Sequence, residues 1–175
     1  MILNSSPLII FSKLNKLDLL KKLFDNLEIP MAVYKEVVEK GISINAPNAF
    51  LIKDFIDKKI IQVKILRKES EKKAQFLTKI YSQLDIGEAE AIALALERKE
   101  DYLIIDDKVA TKIARLYKLK PIGSLRVLLI AFKKKLISEQ EIKLLIIEMC
   151  SKEFRLSSDI INKFWTLFEK IKNTG

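Results

Sequence analysis

The sequence predicts an α/β fold: a central parallel sheet flanked by helices, with extra helices at the C-terminal end. Three observations carry this. Short apolar or β-branched runs alternate with helical patterns along most of the chain. The run over residues 84–96 places Ala89, Ile92, Ala93 and Leu96 at i, i+3, i+4 and i+7, a buried stripe of mostly small residues. Tyr102-Leu103-Ile104-Ile105 follows as an apolar strand and ends in Asp106-Asp107. Acids at the carboxyl end of a strand face the crevice where α/β sheets bind ligands.

The elements follow in order. Ile2-Leu3 reads as a short buried strand, with Asn4-Ser5-Ser6-Pro7 as the turn into a helix. Ser6 is suited to the cap and Pro7 to the first helical position. Residues 8–24 are helical in two pieces, with Leu14, Leu17 and Leu20 on one side. Asp25-Asn26 breaks them before a strand at Leu27-Glu28-Ile29. Pro30 opens a helix to Lys40 with Val33, Val37 and Val38 inward, and Gly41 closes it as a C-terminal cap. Residues 49–59 are helical, and residues 60–66 read as a strand suited to a sheet edge. Residues 70–83 form a charged amphipathic helix. The 84–96 helix is expected to begin abruptly after its glycine, with Glu88 in its first turn. Residues 108–117 form a helix with Val109, Ala110, Ile113, Ala114 and Leu116 available for burial; a last strand lies within 118–122. Helices follow over 125–135, from the Ser138/Glu141 capping box to about Cys150, and from Ser157-Ser158 through Ile160, Ile161, Phe164, Trp165 and Phe168. The expected organisation is one domain over 1–175, with a core of about 1–135 and a helical extension of about 136–175.

Composition narrows the chemistry. There are 175 residues, enough for one domain with a proper core. The chain has no histidine and a single cysteine, Cys150. This excludes histidine triads, thiolate or imidazole zinc sites, and an internal disulfide. A metal must be held mainly by oxygens, which favours Mg²⁺ or Mn²⁺. No apolar run approaches the roughly 18 residues of a membrane span, so no membrane partner is expected. The start of the chain lacks the pattern of a signal peptide, and the expected location is cytoplasmic. The net charge of +9 suits an anionic partner such as nucleic acid, and suits a merely lysine-rich composition equally well.

Five positions could carry chemistry. Asn4 follows the first strand, Asp106 and Asp107 follow a later one, and Glu88 opens the helix before it. These converge if the two strands are neighbours. Glu36 lies beside the Val33/Val37 stripe and could point along a sheet edge. Clustered carboxylates raise one another's pKa, and a divalent cation removes that cost. Each residue also has a plainer role. Asp85 and Glu88 are spaced as a capping box, which is the favoured reading for Asp85. Asp106 or Asp107 could only cap the next helix. Glu36 could be a solvated partner of Lys40, Asn4 a turn residue, and Glu90 a solvent-facing or supporting group. Lys133-Lys134-Lys135 reads as a solvated helix end, and Phe164/Trp165/Phe168 as core or dimer interface.

Together these residues resemble a family. Asn4-Ser5-Ser6-Pro7-Leu8-Ile9, Ile29-Pro30 with Val33-Tyr34-Lys35-Glu36-Val37-Val38, the 84–96 run and Ile104-Ile105-Asp106-Asp107 have the order and spacing of a PIN domain. They look most like the prokaryotic branch marked by Gly87-Glu88-Ala89-Glu90-Ala91-Ile92-Ala93-Leu94-Ala95, related to VapC-type toxins. Pro121-Ile122-Gly123-Ser124 and the tail Glu153-Phe154-Arg155-Leu156-Ser157 also fit. The resemblance implies a Rossmann-like parallel sheet and a Mg²⁺- or Mn²⁺-dependent ribonuclease. It implies metal ligands at Asn4, Glu36, Glu88 and the pair Asp106/Asp107, with Ser5 or Ser6 assisting the first position. The four acids would be the catalytic set. It further implies RNA as substrate, a small antitoxin protein as partner, and a homodimer.

The family's first acid is replaced here by Asn4, which keeps one oxygen but loses the charge. Lower affinity for a hard cation is expected. The leading expectation is hydrolysis of RNA by in-line attack of water, without a covalent enzyme intermediate. The substitution motivates a second reading, a degenerate PIN domain that binds RNA or protein without cutting. A phosphoacceptor domain needs paired acids where Asn4-Ser5 stand. A dinucleotide-binding domain needs a G-x-G-x-x-G absent from a chain with four glycines.

Overall fold

Five short strands form one parallel sheet: β1 (Ile2–Leu3), β2 (Leu27–Pro30), β3 (Ile61–Lys64), β4 (Tyr102–Ile104) and β5 (Lys120–Ile122). Their order is β3-β2-β1-β4-β5. The computed structural model describes residues 1–151, 154 and 156–173. Glu153 and Arg155 of the tail motif therefore lie outside the described residues. The chain divides into two compact units, Met1–Gly123 and Ser124–Gly175.

The first unit holds the sheet. β1 is central and β3 is at an edge, as the partly alternating pattern of β3 suggests. Ile2 pairs with Glu28 on one side and with Leu103 on the other, and Leu3 pairs with Ile104. Parallel neighbours need crossovers, and helices supply them. α1 (Ser5–Lys13) and α2 (Leu17–Leu23) join β1 to β2. α3 (Met31–Tyr34) runs on through a π-helical stretch, Lys35–Lys40, into α4 (Gly41–Ser43); α5 (Pro47–Asp57) then leads to β3. α6 (Lys68–Ile80) and α7 (Ile86–Glu97) precede β4, and α8 (Lys108–Leu116) joins β4 to β5.

α7 departs from a one-sided helix. Residues 87–89 and 91–95 are all buried, while Leu96 is only half-buried. A helix apolar all round belongs inside the protein. Its alanines let α3, α6 and the strands β1, β2 and β4 all approach it. α7 begins at Ile86, one residue before its glycine.

Local readings change in several places. α1 starts at Ser5 with Asn4 in the cap position, and Ser6 is exposed in its first turn. Pro30 ends β2 and precedes the helix. α5 opens on Pro47, whose missing N–H costs nothing there. Leu116 is exposed, because α8 turns that position away from its buried Ala110/Ile113/Ala114 side.

Gly41 is the clearest correction. It lies within continuous helix at φ −60° rather than capping it, and the left-handed residue after α4 is Asn45 at φ 54°. A glycine is needed at 41 because α5 comes close: an added Cβ would stand 2.6 Å from Ala49 Cβ.

The second unit is helical. It contains α9 (Ser124–Lys133), α10 (Glu139–Ser151) and α11 (Ser158–Asn173). Ser138 Oγ accepts from Glu141 N at 3.1 Å, one half of the expected capping box. Phe168 is buried with its ring centroid 4.7 Å from that of Phe132 and 5.5 Å from that of Trp165. The aromatic stripe is thus core packing.

Gly41→Ala tests the close approach of α4 and α5. In an open helix this change stabilises by up to about 1 kcal/mol. Here overpacking is expected to reverse the sign and cost about 1–3 kcal/mol in urea unfolding.

Candidate functional site

The sheet order reverses direction between β1 and β4: β2 and β3 lie to one side, β5 to the other. Such a switch point opens a crevice at the carboxyl ends of the strands. Asn4 leaves β1 there, and its N–H donates to Ile104 O of β4 at 3.1 Å. The β1–β4 adjacency required by the sequence reading is therefore present.

Asn4 is 2% exposed. Although it occupies the cap position of α1, its side chain makes no capping bond. Its Oδ1 is fully buried with no hydrogen-bond partner. A buried acceptor left unmade costs about 1–3 kcal/mol. A plain turn asparagine does not account for that cost.

Glu88 is the buried acid of the site, 7% exposed in the first turn of α7. It completes a capping box: Glu88 N donates to Asp85 Oδ1 at 2.7 Å, and Asp85 N donates to Glu88 Oε2 at 3.2 Å. Asp85 thus has the capping role favoured for it. Burial pushes the Glu88 carboxyl up to about 7, and the charges of Asp85, Asp107 and Glu36 push the same way against the Asp85 N–H.

Asp107 caps α8, its Oδ1 accepting from Val109 N at 2.7 Å and Ala110 N at 2.8 Å. It is also one of the acids whose charge raises Glu88, so capping and proximity to the crevice coexist in one side chain. Asp106 Oδ1 lies beside the end of β5, where a Cβ on Gly123 would come within 3.1 Å of it.

Glu36 sits in the π-helical stretch and is exposed. Ser5 Oγ donates to Glu36 Oε2. The same oxygen stands 3.5 Å from where a Gly87 Cβ would be, an ordinary van der Waals distance, so Glu36 lies against the start of α7. No ion pair joins Glu36 to Lys40 among the described residues. Glu90 is not simply solvent-facing: its Oε2 accepts from Ala32 N at 2.8 Å and ties α7 to the start of α3. Between them opens a cleft of about 590 Å³, lined by Lys35, Glu36, Lys40, Asp85, Ile86 and Glu90 among others.

The π-helical stretch was missed by reading for a 3.6-residue period, which does not register a widened turn. The tight approach of Asp106 to Gly123 was missed as well, because it joins residues that the sequence pattern does not connect.

The model of family DUF3368, described as a PIN domain, matches residues 1–170. The chain belongs to the PIN-domain family. Among curated proteins, none matches it. PIN domains have a nuclease-type fold, are generally metal-dependent nucleases and typically bind divalent metals. No helix among the described residues is long and apolar enough to cross a membrane.

The PIN crevice offers oxygen donors only, which suits a hard divalent cation. The orphaned Asn4 Oδ1 and the mutual repulsion around Glu88 are both features a cation would relieve. Among the described residues, no three or more Asp, Glu, His or Cys side chains are grouped closely enough to hold a metal ion. Asp85, Glu88, Asp107 and Glu36 each spend at least one oxygen on a protein donor. The donors fit a cation in kind, and the Asn4 amide oxygen is the one among them that is buried and without a protein partner.

In the metal-free chain, folding holds a proton on Glu88 between its ordinary 4.5 and about 7. Stability from this group is therefore lost as pH rises through that window. Glu88→Gln keeps an acceptor and removes the titration. In urea unfolding it is expected to exceed the native chain by on the order of 1–3 kcal/mol at about pH 8 and to converge with it near pH 4. An equal difference at both pH values would contradict the assigned cause.

Proposed function

We propose that this PIN domain is a Mg²⁺- or Mn²⁺-dependent ribonuclease that hydrolyses phosphodiester bonds of RNA. Two observations support the proposal: an orphaned Asn4 oxygen at the end of β1, by the switch point, and a Glu88 carboxyl raised by burial and by the charges of Asp85, Asp107 and Glu36. Glu88, Glu36, Asp106/Asp107 and Asn4 would hold the cation. When bound, it would activate water and offset the charge developing on the phosphoryl group.

The chain's own residues set the terms of that reaction. Asp85 fixes the first turn of α7, and with it Glu88. Ser5 holds Glu36 at the edge of the crevice, so its hydroxyl is committed and is not offered as a nucleophile. With no histidine in the chain, hydrolysis by in-line attack of water is the favoured route. PIN nucleases bind RNA and often antitoxins. That supports a VapC-like toxin role, with a small antitoxin protein as partner, a homodimeric assembly and a cytoplasmic location. The family match runs through both compact units, which supports one PIN domain with a helical extension.

A second reading is a PIN domain that binds RNA or protein without cutting. It is favoured by the Asn4 substitution and by the absence of a ready carboxylate group of three among the described residues. Cleavage of a mixed RNA pool in Mn²⁺, Mg²⁺ and EDTA separates the two. The nuclease reading expects metal-dependent cutting that falls by more than about 100-fold in Glu88→Ala and rises in Asn4→Asp. Cutting by Asn4→Asp alone would mean a site disabled by one substitution. No cutting by either chain would leave the binding reading.

A further inference from the structure

We propose that the outer face of α8 is where the RNA backbone lies, with Lys108, Lys112 and Arg115 holding its phosphates. This rests on RNA as the substrate of the candidate centre and adds the surface that seats it. Three observations carry it.

The first is where the charge sits. The chain has 32 lysines and arginines against 23 aspartates and glutamates. Residues 108–138 hold nine of the former and none of the latter, so the remaining 144 residues are balanced at 23 of each. The whole net charge of +9 therefore belongs to one stretch, which begins directly after Asp107. A merely lysine-rich composition would spread the excess along the chain. Positive charge gathered in one place is the footprint of a polyanionic ligand.

The second is the face that carries it. α8 is the first element of that stretch, and Lys108, Lys112 and Arg115 stand on it at i, i+4 and i+7. They share one face, opposite the buried Ala110, Ile113 and Ala114. All three are exposed, as is Lys118 just past the helix, and none of the four enters an ion pair among the described residues. Of the elements packed on α8, β5 has no acid, and Glu90 and Glu97 of α7 are turned to Ala32 N and Arg67 N. The row does nothing for the helix itself. Like charges at i and i+4 oppose each other, and Lys108 stands in the first turn, at the positive end of the helix dipole. A local pattern that works against its own helix is expected where a surface serves a ligand, and phosphates are the ligand that matches these charges.

The third is position. The row begins one residue after Asp107, a member of the candidate metal set. Seven residues of helix carry it about 10 Å along the surface, enough to meet more than one phosphate. Helical side chains tilt toward the N-terminus, which here is the crevice end. A backbone laid along α8 therefore leads to the acids.

The test is binding of a short fluorescein-labelled single-stranded RNA to the full chain in EDTA, where cleavage does not interfere, followed by anisotropy over a range of salt. Lys108→Gln/Lys112→Gln/Arg115→Gln is compared with Lys21→Gln/Lys22→Gln/Lys59→Gln, which removes the same charge from exposed residues of the balanced part of the chain. Circular dichroism checks that both variants fold. The α8 variant is expected to reduce the slope of log affinity against log salt by about 2, the counterions of three single-strand phosphates, while the control changes it by less than half of that. Equal effects of the two variants would overturn the proposal, since net charge alone would explain them. Native affinity and slope in the α8 variant would also overturn it. Cleavage by the native chain in Mn²⁺ alongside either of these results would overturn the α8 surface alone. Binding through α8 without cleavage in Mn²⁺ would keep the surface and overturn the nuclease reading. A native chain that neither binds nor cuts RNA would overturn both, and would leave an acidic protein segment as the ligand of the row.

Discussion

The burial of α7 is the constraint on which the site depends. Its alanines allow strands and helices to close on it from every side. That packing takes Glu88 out of water at the same point where Asp107 and Glu36 approach. A carboxylate in water would not feel these neighbours strongly; a buried one does, and its carboxyl rises to about 7. The stripe of small residues and the perturbed acid are thus one feature. Enlarging the alanines would loosen the acid from its neighbours, and moving the acid to the surface would remove the reason for a cation.

Asn4 is the counterpart of Glu88. One supplies excess negative charge and the other an unsatisfied oxygen: Asn4 leaves β1 at the switch point, and α7, which carries Glu88, packs on β1 and β4. With asparagine in the first position, the crevice carries less charge repulsion than it would with an aspartate there. The same exchange weakens its hold on a hard cation. Gly123 matters for a different reason, because a Cβ there would crowd Asp106 Oδ1 at 3.1 Å.

Most of the fold was legible because its signals are local. Alternation of short apolar runs with helical patterns predicts the parallel sheet, and Asp85-x-x-Glu88 predicts the capping box that is present. Gly41 was misread because a glycine after an amphipathic helix is the usual mark of its end. The contact that demands it comes from Ala49, a residue of another helix, and no local pattern reports that. The π-helical stretch escaped for a related reason: Val33, Val37 and Val38 satisfy an α-helical stripe well enough to hide the wider turn. At the site, Asn4, Glu36, Glu88 and the Asp106/Asp107 pair were legible as candidates from spacing and family resemblance. The Ser5–Glu36 bond and the unmade Asn4 bond were not, since both depend on which strands are neighbours.

The most direct measurement is calorimetric titration of the metal-free chain with Mn²⁺ in buffers of different ionisation enthalpy, which counts the protons released on binding. A cation at this crevice must displace the proton that burial keeps on Glu88. The account predicts Mn²⁺ binding with proton release that grows as pH falls from about 8 to about 6, and loss of that release in Glu88→Gln. Absence of Mn²⁺ binding, or binding whose proton release is unchanged in Glu88→Gln, would contradict it.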